Sequence, residues 1–140
     1  MDNNNADSAN AQTKKELSRL FQDIQHDIPI LLFTDPLRNP QFTDLTRQVI
    51  RMIRGIAPKV DLKEFGLDHD LAKELGITHA PTLVFDHEHF NIRWLGAPLG
   101  EEGRTLVEAL VMIGMRETRL NEQAGKILDK IEEPRQLKVF

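Results

Sequence analysis

The stretch Gly76-Ile77-Thr78-His79-Ala80-Pro81-Thr82-Leu83-Val84-Phe85 sets the tightest limit on what this chain can fold into. Gly76 is placed to end a helix, and the β-branched and aromatic run Thr82–Phe85 follows the Ala-Pro pair at once. Such a run suits the centre of a sheet, whereas Pro81 has no N–H to give a strand ladder. Pro81 is therefore expected just before the strand, with its backbone facing something other than a neighbouring strand. Only about 5–6% of X-Pro bonds are cis in folded proteins. Taken alone Ala80–Pro81 would be trans, so the elements around it carry the decision.

Those elements follow from periodicity. Residues 1–12 are rich in Asn, Ala, Ser and Asp and read as a disordered leader. Leu17, Leu20, Phe21 and Ile24 recur at helical spacing and predict a helix over Thr13–Gln25, with Thr13 as N-cap. Ile28–Thr34 is a short apolar run, expected as a buried strand. Asp35-Pro36-Leu37-Arg38-Asn39-Pro40 is a two-proline loop leading to a second helix, with Asn39 as N-cap and Pro40 at its first position. Phe42, Leu45, Val49, Ile53 and Ile56, widened by Ile50 and Met52, give that helix its apolar face, and Gly55 and Pro58 close it.

Val60–Phe65 reads as a strand and Asp68–Leu75 as a short helix capped by Asp68 and ended by Gly76. Thr82–Asp86 and Phe90–Leu95 form a hairpin across His87-Glu88-His89. A long helix follows Gly100, with Leu106, Val107, Leu110, Val111 and Ile113 inward. Asn121 caps a further helix to Ile131, and Leu137–Phe140 is extended and apolar. The first two strands, joined through a helix, should be parallel by a right-handed crossover. The expected architecture is α/β: a mixed four-stranded sheet with helices on both faces.

Composition narrows the chemistry. A chain of 140 residues at net charge −4, with both signs interspersed, carries no basic patch for nucleic acid. No apolar run is long enough to span a bilayer, and no secretory leader is visible. The chain has no cysteine, which excludes a disulfide framework, a zinc–thiolate site and thiol chemistry of its own. These features point to the cytoplasm.

With the proline entering the third strand, this order resembles the thioredoxin-like fold. Ile77-Thr78-His79-Ala80-Pro81-Thr82-Leu83 resembles the cis-proline segment of that fold, and Ile30-Leu31-Leu32-Phe33 the strand that leads to its Cys-x-x-Cys site. Counting forward from Phe33 puts the four site positions on Arg38, Asn39, Pro40 and Gln41, so Arg38 and Gln41 stand where the cysteines would be. Leu32 takes the place of a buried acid. Leu95-Gly96-Ala97-Pro98-Leu99-Gly100-Glu101-Glu102 and Leu106-Val107-Glu108-Ala109-Leu110 are similar to the cysteine-less first half of tandem thioredoxin-fold modules. Such modules occur in the flavin subunit of alkyl hydroperoxide reductase and in glutaredoxin-like protein disulfide oxidoreductases.

The resemblance implies a thioredoxin-like domain over 13–118, followed over 119–140 by a linking helix and the start of a further strand. It implies a non-catalytic half, without cofactor, that supports a Cys-x-x-Cys half or another redox partner, with a part in cell redox homeostasis. No activity is expected from this chain alone. It also implies a groove at His79, Ala80 and Pro81, where residue 79 offers a backbone N–H and C=O to an extended segment. The alternative is a stand-alone peptide-binding protein or chaperone using that groove. Other features have plainer readings. His87 and His89, beside Asp86 and Glu88, suggest a metal, but four close ligands are needed and an exposed turn is offered, so no metal is assigned. His69 reads as a helix-start residue, Trp94 as packing, and Gly96 to Gly100 as a turn, since no Gly-Lys-Ser/Thr follows.

Overall fold

A computed structural model describes residues 3–140; Met1 and Asp2 lie outside the described residues. The elements in order are α1 (Asn3–Gln22), β1 (Ile28–Thr34), α2 (Pro40–Ile56), β2 (Val60–Gly66), α3 (Asp70–Glu74), β3 (Thr82–Phe85), β4 (Ile92–Leu95), α4 (Glu101–Met115) and α5 (Glu122–Leu128).

The sheet runs β2-β1-β3-β4. β1 and β2 are parallel, with Ile30 opposite Leu62, and are joined through α2. β3 is antiparallel to β1, with Leu32 opposite Leu83, and β4 antiparallel to β3, with Leu83 opposite Trp94. This is the mixed four-stranded sheet the sequence leads one to expect. Its centre is apolar but for Thr82 at the start of β3 and Thr34 at the end of β1, because β1 and β3 are covered on both faces. Ile28, Ile30 and Leu32 pack with Phe21 and Ile24, with Ile50 and Ile53 of α2, and with Leu106 and Leu110 of α4. Leu31, Phe33 and Val84 point the other way, onto Ala72 of α3 and Ile77. Helices thus lie on both faces, and Leu32, in the place of a buried acid, is fully buried among apolar side chains. Trp94 is partly buried against the larger cluster.

Several boundaries differ from expectation. α1 starts at Asn3 and not at Thr13, so residues 3–12 are helical where a disordered leader was expected. The packing of Phe21 and Ile24 fixes the C-terminal end, and extending an existing helix is far cheaper than starting one. α1 stops at Gln22 because the chain turns: Ile24 N–H donates to Phe21 O, and His26 N–H crosses to Gly114 O at 3.0 Å.

The buried face of α2 keeps Ile50 and Ile53, with Val49 and Ile56 partly buried against the core, but departs from expectation elsewhere. Thr43, Thr46, Ile50 and Ile53 face inward, while Phe42, Leu45 and Met52 are exposed. At the N-terminal end Thr43 and Thr46 take the inward positions expected of Phe42 and Leu45, each one residue on, while Ile50 and Ile53 face inward as expected. Thr46 can lie inside because its hydroxyl donates to Phe42 O at 2.7 Å. α2 ends at Ile56, so Gly55 lies in its last turn. Arg47 on its polar side pins α2 to β2, donating to both carboxylate oxygens of Glu64 at 2.7 and 3.0 Å. That hydrogen bond holds the Arg47 guanidinium pKa above its ordinary value.

The α3 cap is His69, not Asp68: its Nδ1 accepts from Leu71 N–H at 3.1 Å. β3 stops at Phe85 because Asp86 takes a left-handed φ of 41° and its carbonyl receives the N–H groups of His89 and Phe90. The hairpin connection therefore runs to Asn91, longer than the three residues expected. Asn121 caps α5 as expected, through Oδ1 to Ala124 N–H at 2.8 Å, but the helix ends at Leu128 and buries none of its residues. Leu137, Val139 and Phe140 are exposed and pair with no strand among the described residues.

Candidate functional site

The site is the junction between the loop entering α2 and the loop entering β3. After β1 the chain makes a tight turn over Asp35–Arg38, with Pro36 in the position that favours its fixed φ. Leu37 N–H donates to Asp35 Oδ1 at 2.9 Å, Arg38 N–H donates to Asp35 O at 3.1 Å, and Arg38 Nε lies 3.4 Å from Asp35 Oδ2. The turn delivers Arg38 and Asn39 to the opposite loop. Arg38 Nη1 donates to Thr78 O at 3.2 Å, and Asn39 Nδ2 donates to Ala80 O at 3.0 Å.

Asn39 does not use its side chain as a cap. It sits in the left-handed region, φ 50° and ψ 45°, a conformation that asparagine tolerates better than most residues. Pro40 occupies the first helical turn, where a missing N–H costs nothing, and Gln41 is exposed. No acidic residue stands in that turn.

The Ala80–Pro81 bond is cis. Thr82, buried at the start of β3, donates its hydroxyl to His79 O at 2.6 Å, and Gly96 N–H donates to Pro81 O at 2.9 Å. His79 is exposed, with Nδ1 2.9 Å from Thr78 Oγ1. The carbonyls of Thr78, His79 and Ala80 therefore each meet a side-chain donor from within the chain. The free C=O expected at His79 is already engaged; the His79 N–H has no partner among the described residues.

A shallow groove of about 350 Å³ runs along this junction, lined by Asn39, Phe42, His79, Ala80, Pro81, Leu95, Gly96 and Ala97. Phe42 and Leu95, which line the groove with Pro81, are 41% and 64% exposed. The structure thus brings Arg38 and Asn39 against His79, Ala80 and Pro81. Phe42, Leu95 and Ala97 were not foreseen as lining residues. Phe42 reads as core in the sequence and becomes a groove wall because Thr43 and Thr46 take the inward positions in the first turns of α2.

The histidine-rich turn is built differently. Asp86 is buried, His89 Nδ1 lies 2.8 Å from its Oδ1, and Arg116 Nη2 lies 2.9 Å from its Oδ2. Arg116 also covers the Phe90 ring at 4.8 Å. The cation needed by the buried carboxylate comes from the end of α4, which short-range spacing does not reveal. Among the described residues no three His, Asp or Glu side chains are grouped to hold a metal ion, and no helix is long and apolar enough to cross a membrane.

No family model and no curated protein matches the chain. Solved structures do. The alkylhydroperoxide reductase AhpF of Enterococcus faecalis V583, as its C503A mutant, superposes with a TM-score of 0.70 at 23% identity, over 83% of this chain and 57% of that one. The isolated NTD_N/C domain of the same protein gives the same values. A protein disulfide oxidoreductase from Aeropyrum pernix K1 superposes with a TM-score of 0.70 at 20% identity, over 85% of this chain and 53% of that one. The chain spans little more than half the length of these structures. At such identities the likeness concerns the fold: the chain has a thioredoxin-like fold without cysteine, similar in structure to the alkylhydroperoxide reductase AhpF and to a protein disulfide oxidoreductase.

Proposed function

We propose that this chain is a non-catalytic thioredoxin-fold unit that supports the thiol–disulfide module of a larger disulfide oxidoreductase or alkyl hydroperoxide reductase-type protein. The observation that carries this is a hydrogen-bonded staple at the turn that the resemblance aligns with a dithiol site. Arg38 and Asn39, in the turn at the start of α2, hold the loop of Ala80 and Pro81 by two hydrogen bonds, and no thiolate is available to attack a disulfide. The fold supports the same reading, since similar structures include a protein disulfide oxidoreductase. In this reading the groove beside Pro81 receives an extended segment of the partner, whether a second thioredoxin-like unit or a separate redox protein. A dithiol partner stays reduced in the cytoplasm, and we assign the chain to that compartment.

The test is twofold. The reading frame after Phe140 is sequenced, and its product is assayed for disulfide reduction with and without residues 1–140. A following Cys-x-x-Cys unit, inactive or unstable without this chain, is the expected result. Disulfide turnover by this chain alone would overturn the proposal. A frame without a cysteine pair, joined to peptide binding by the isolated chain, would put a stand-alone binding module first. The exposure of Phe42 and Leu95 beside Pro81 favours that second reading.

A further inference from the structure

We infer that the groove beside Pro81 selects an extended peptide segment by side-chain chemistry, seating an apolar residue against Phe42, Pro81 and Leu95 and a neighbouring carboxylate on Arg38 and His79. This rests on the reading above that the groove receives a partner segment.

Strand addition draws its affinity from main-chain hydrogen bonds and its specificity from side-chain pockets. Here the carbonyls of Thr78, His79 and Ala80 already accept from Arg38, Thr82 and Asn39. The His79 N–H stays open and each carbonyl keeps a second lone pair, so main-chain bonds can anchor a segment while its side chains decide which segment is held. One part of that surface is apolar, with exposed Phe42 and Leu95 lining the groove together with Pro81 and Ala97. The other part is basic. His79 lines the groove and leaves Nε2 uncommitted, because Thr78 Oγ1 meets Nδ1. The Arg38 side chain is 60% exposed and rests on Thr78 O, one residue from His79.

The Arg38 contacts use Nη1, on Thr78 O, and Nε, beside Asp35; Nη2 has no partner among the described residues. Asp35 is the carboxylate that faces Arg38, and it does so from the Nε side. No carboxylate lines the groove among the described residues. An incoming Asp or Glu meets the His79 ring in the groove and the Arg38 guanidinium at its edge, with Asp35 on the Nε side of Arg38. Guanidinium suits this role because its planar fork matches a carboxylate.

The test uses two blocked peptides, acetyl-Thr-Glu-Leu-Val-Thr-amide and its Gln isostere, titrated into the ¹⁵N-labelled chain. The Glu peptide should bind about fivefold more tightly, the scale of one part-exposed ion pair, and shift the amide signals of Phe42, His79 and Leu95. Arg38→Gln with His79→Gln should remove that difference, and Leu95→Ser should weaken both peptides. All three side chains are exposed, so the amide spectrum should otherwise persist. Equal binding of both peptides, with the same signals moving, overturns carboxylate selection while the groove reading stands. Failure of both peptides to move these signals overturns the groove reading and this inference with it.

Discussion

The side-chain amide of Asn39 donates to the carbonyl oxygen of Ala80 at 3.0 Å, joining the residue before α2 to the residue before Pro81. Ala80 is only 6% exposed, so water cannot easily replace the lost donor. The bond spans two loops that are far apart in sequence and adjacent in space. It also uses a side chain that would ordinarily cap its own helix.

Asn39→Gly should therefore destabilise the chain by about 0.5–1.5 kcal/mol, the net worth of one intramolecular hydrogen bond. Glycine accepts the left-handed φ of 50° without strain, so the loss combines the amide with the extra freedom glycine gives the unfolded chain. Asn39→Ala should cost roughly 1 kcal/mol more, because alanine pays for the left-handed backbone. Urea unfolding measures both. An Asn39→Gly chain as stable as the parent would show that the contact contributes nothing.

Two glycines give opposite expectations for the same substitution. A Cβ on Gly114 would lie 2.5 Å from Ile24 Cγ2 and 2.9 Å from Ile28 Cδ1, whereas a Cβ on Gly55 meets nothing within 4 Å. Gly55→Ala, in the last turn of α2, should stabilise by about 0.5–1 kcal/mol through helix propensity. Gly114→Ala gains the same propensity but overpacks the contact between α4 and β1, at a cost of about 1–3 kcal/mol. It should be destabilised overall, and truncating Ile24 to Ala should make the added methyl less harmful. Thermal melts of the variants decide the matter: a Gly114→Ala chain that gains as much as Gly55→Ala would refute the close approach.

The buried carboxylate of Asp86 supplies a third expectation. Its oxygens meet His89 and Arg116, and its φ of 41° is one that asparagine also adopts. Asp86→Asn keeps the shape and the backbone while removing the charge. Arg116 retains 27% of its side-chain exposure, so the loss should stay below that of a fully buried pair, at about 1–3 kcal/mol. A double-mutant cycle with Arg116→Gln should show a coupling well above experimental error. Additive losses would mean that the two side chains do not act on one another.

The architecture was legible because its signals are local. Ile28–Thr34 and Thr82–Phe85 are β-rich and bounded by turn residues, and the helix between the first two strands demands parallel pairing. The relation of Arg38 and Asn39 to the Pro81 loop was legible only through resemblance, since no local rule joins positions so far apart. What escaped was tertiary. The inward face of α2 includes Thr43 and Thr46, two polar residues that an apolar stripe leaves out, so Phe42 was read as core. The role of Asn39 escaped because asparagine before Pro at a helix start reads as a cap. Arg116 escaped because nothing near it in the sequence announces the carboxylate it pairs with.

The last expectation tests the alignment of the turn with a dithiol site. Arg38 and Gln41 bracket Asn39 and Pro40 at the start of α2, and the side chains of both are exposed. A disulfide needs Cα atoms about 4.4–6.8 Å apart with Cβ vectors converging, a geometry that two residues across a helix start can meet. Arg38→Cys combined with Gln41→Cys should thus oxidise to an intramolecular disulfide, read as the loss of two titratable thiols without dimer formation. The substitution removes the Arg38–Thr78 bond but leaves Asn39 on Ala80, so the loop should keep its place. Reduced, the pair supplies the attacking thiolate the parent chain lacks, and disulfide exchange should appear where there was none. Thiols that stay open under oxidant, in a chain that remains folded, would show that the turn is not placed as a dithiol site and would remove the alignment on which the non-catalytic reading is built.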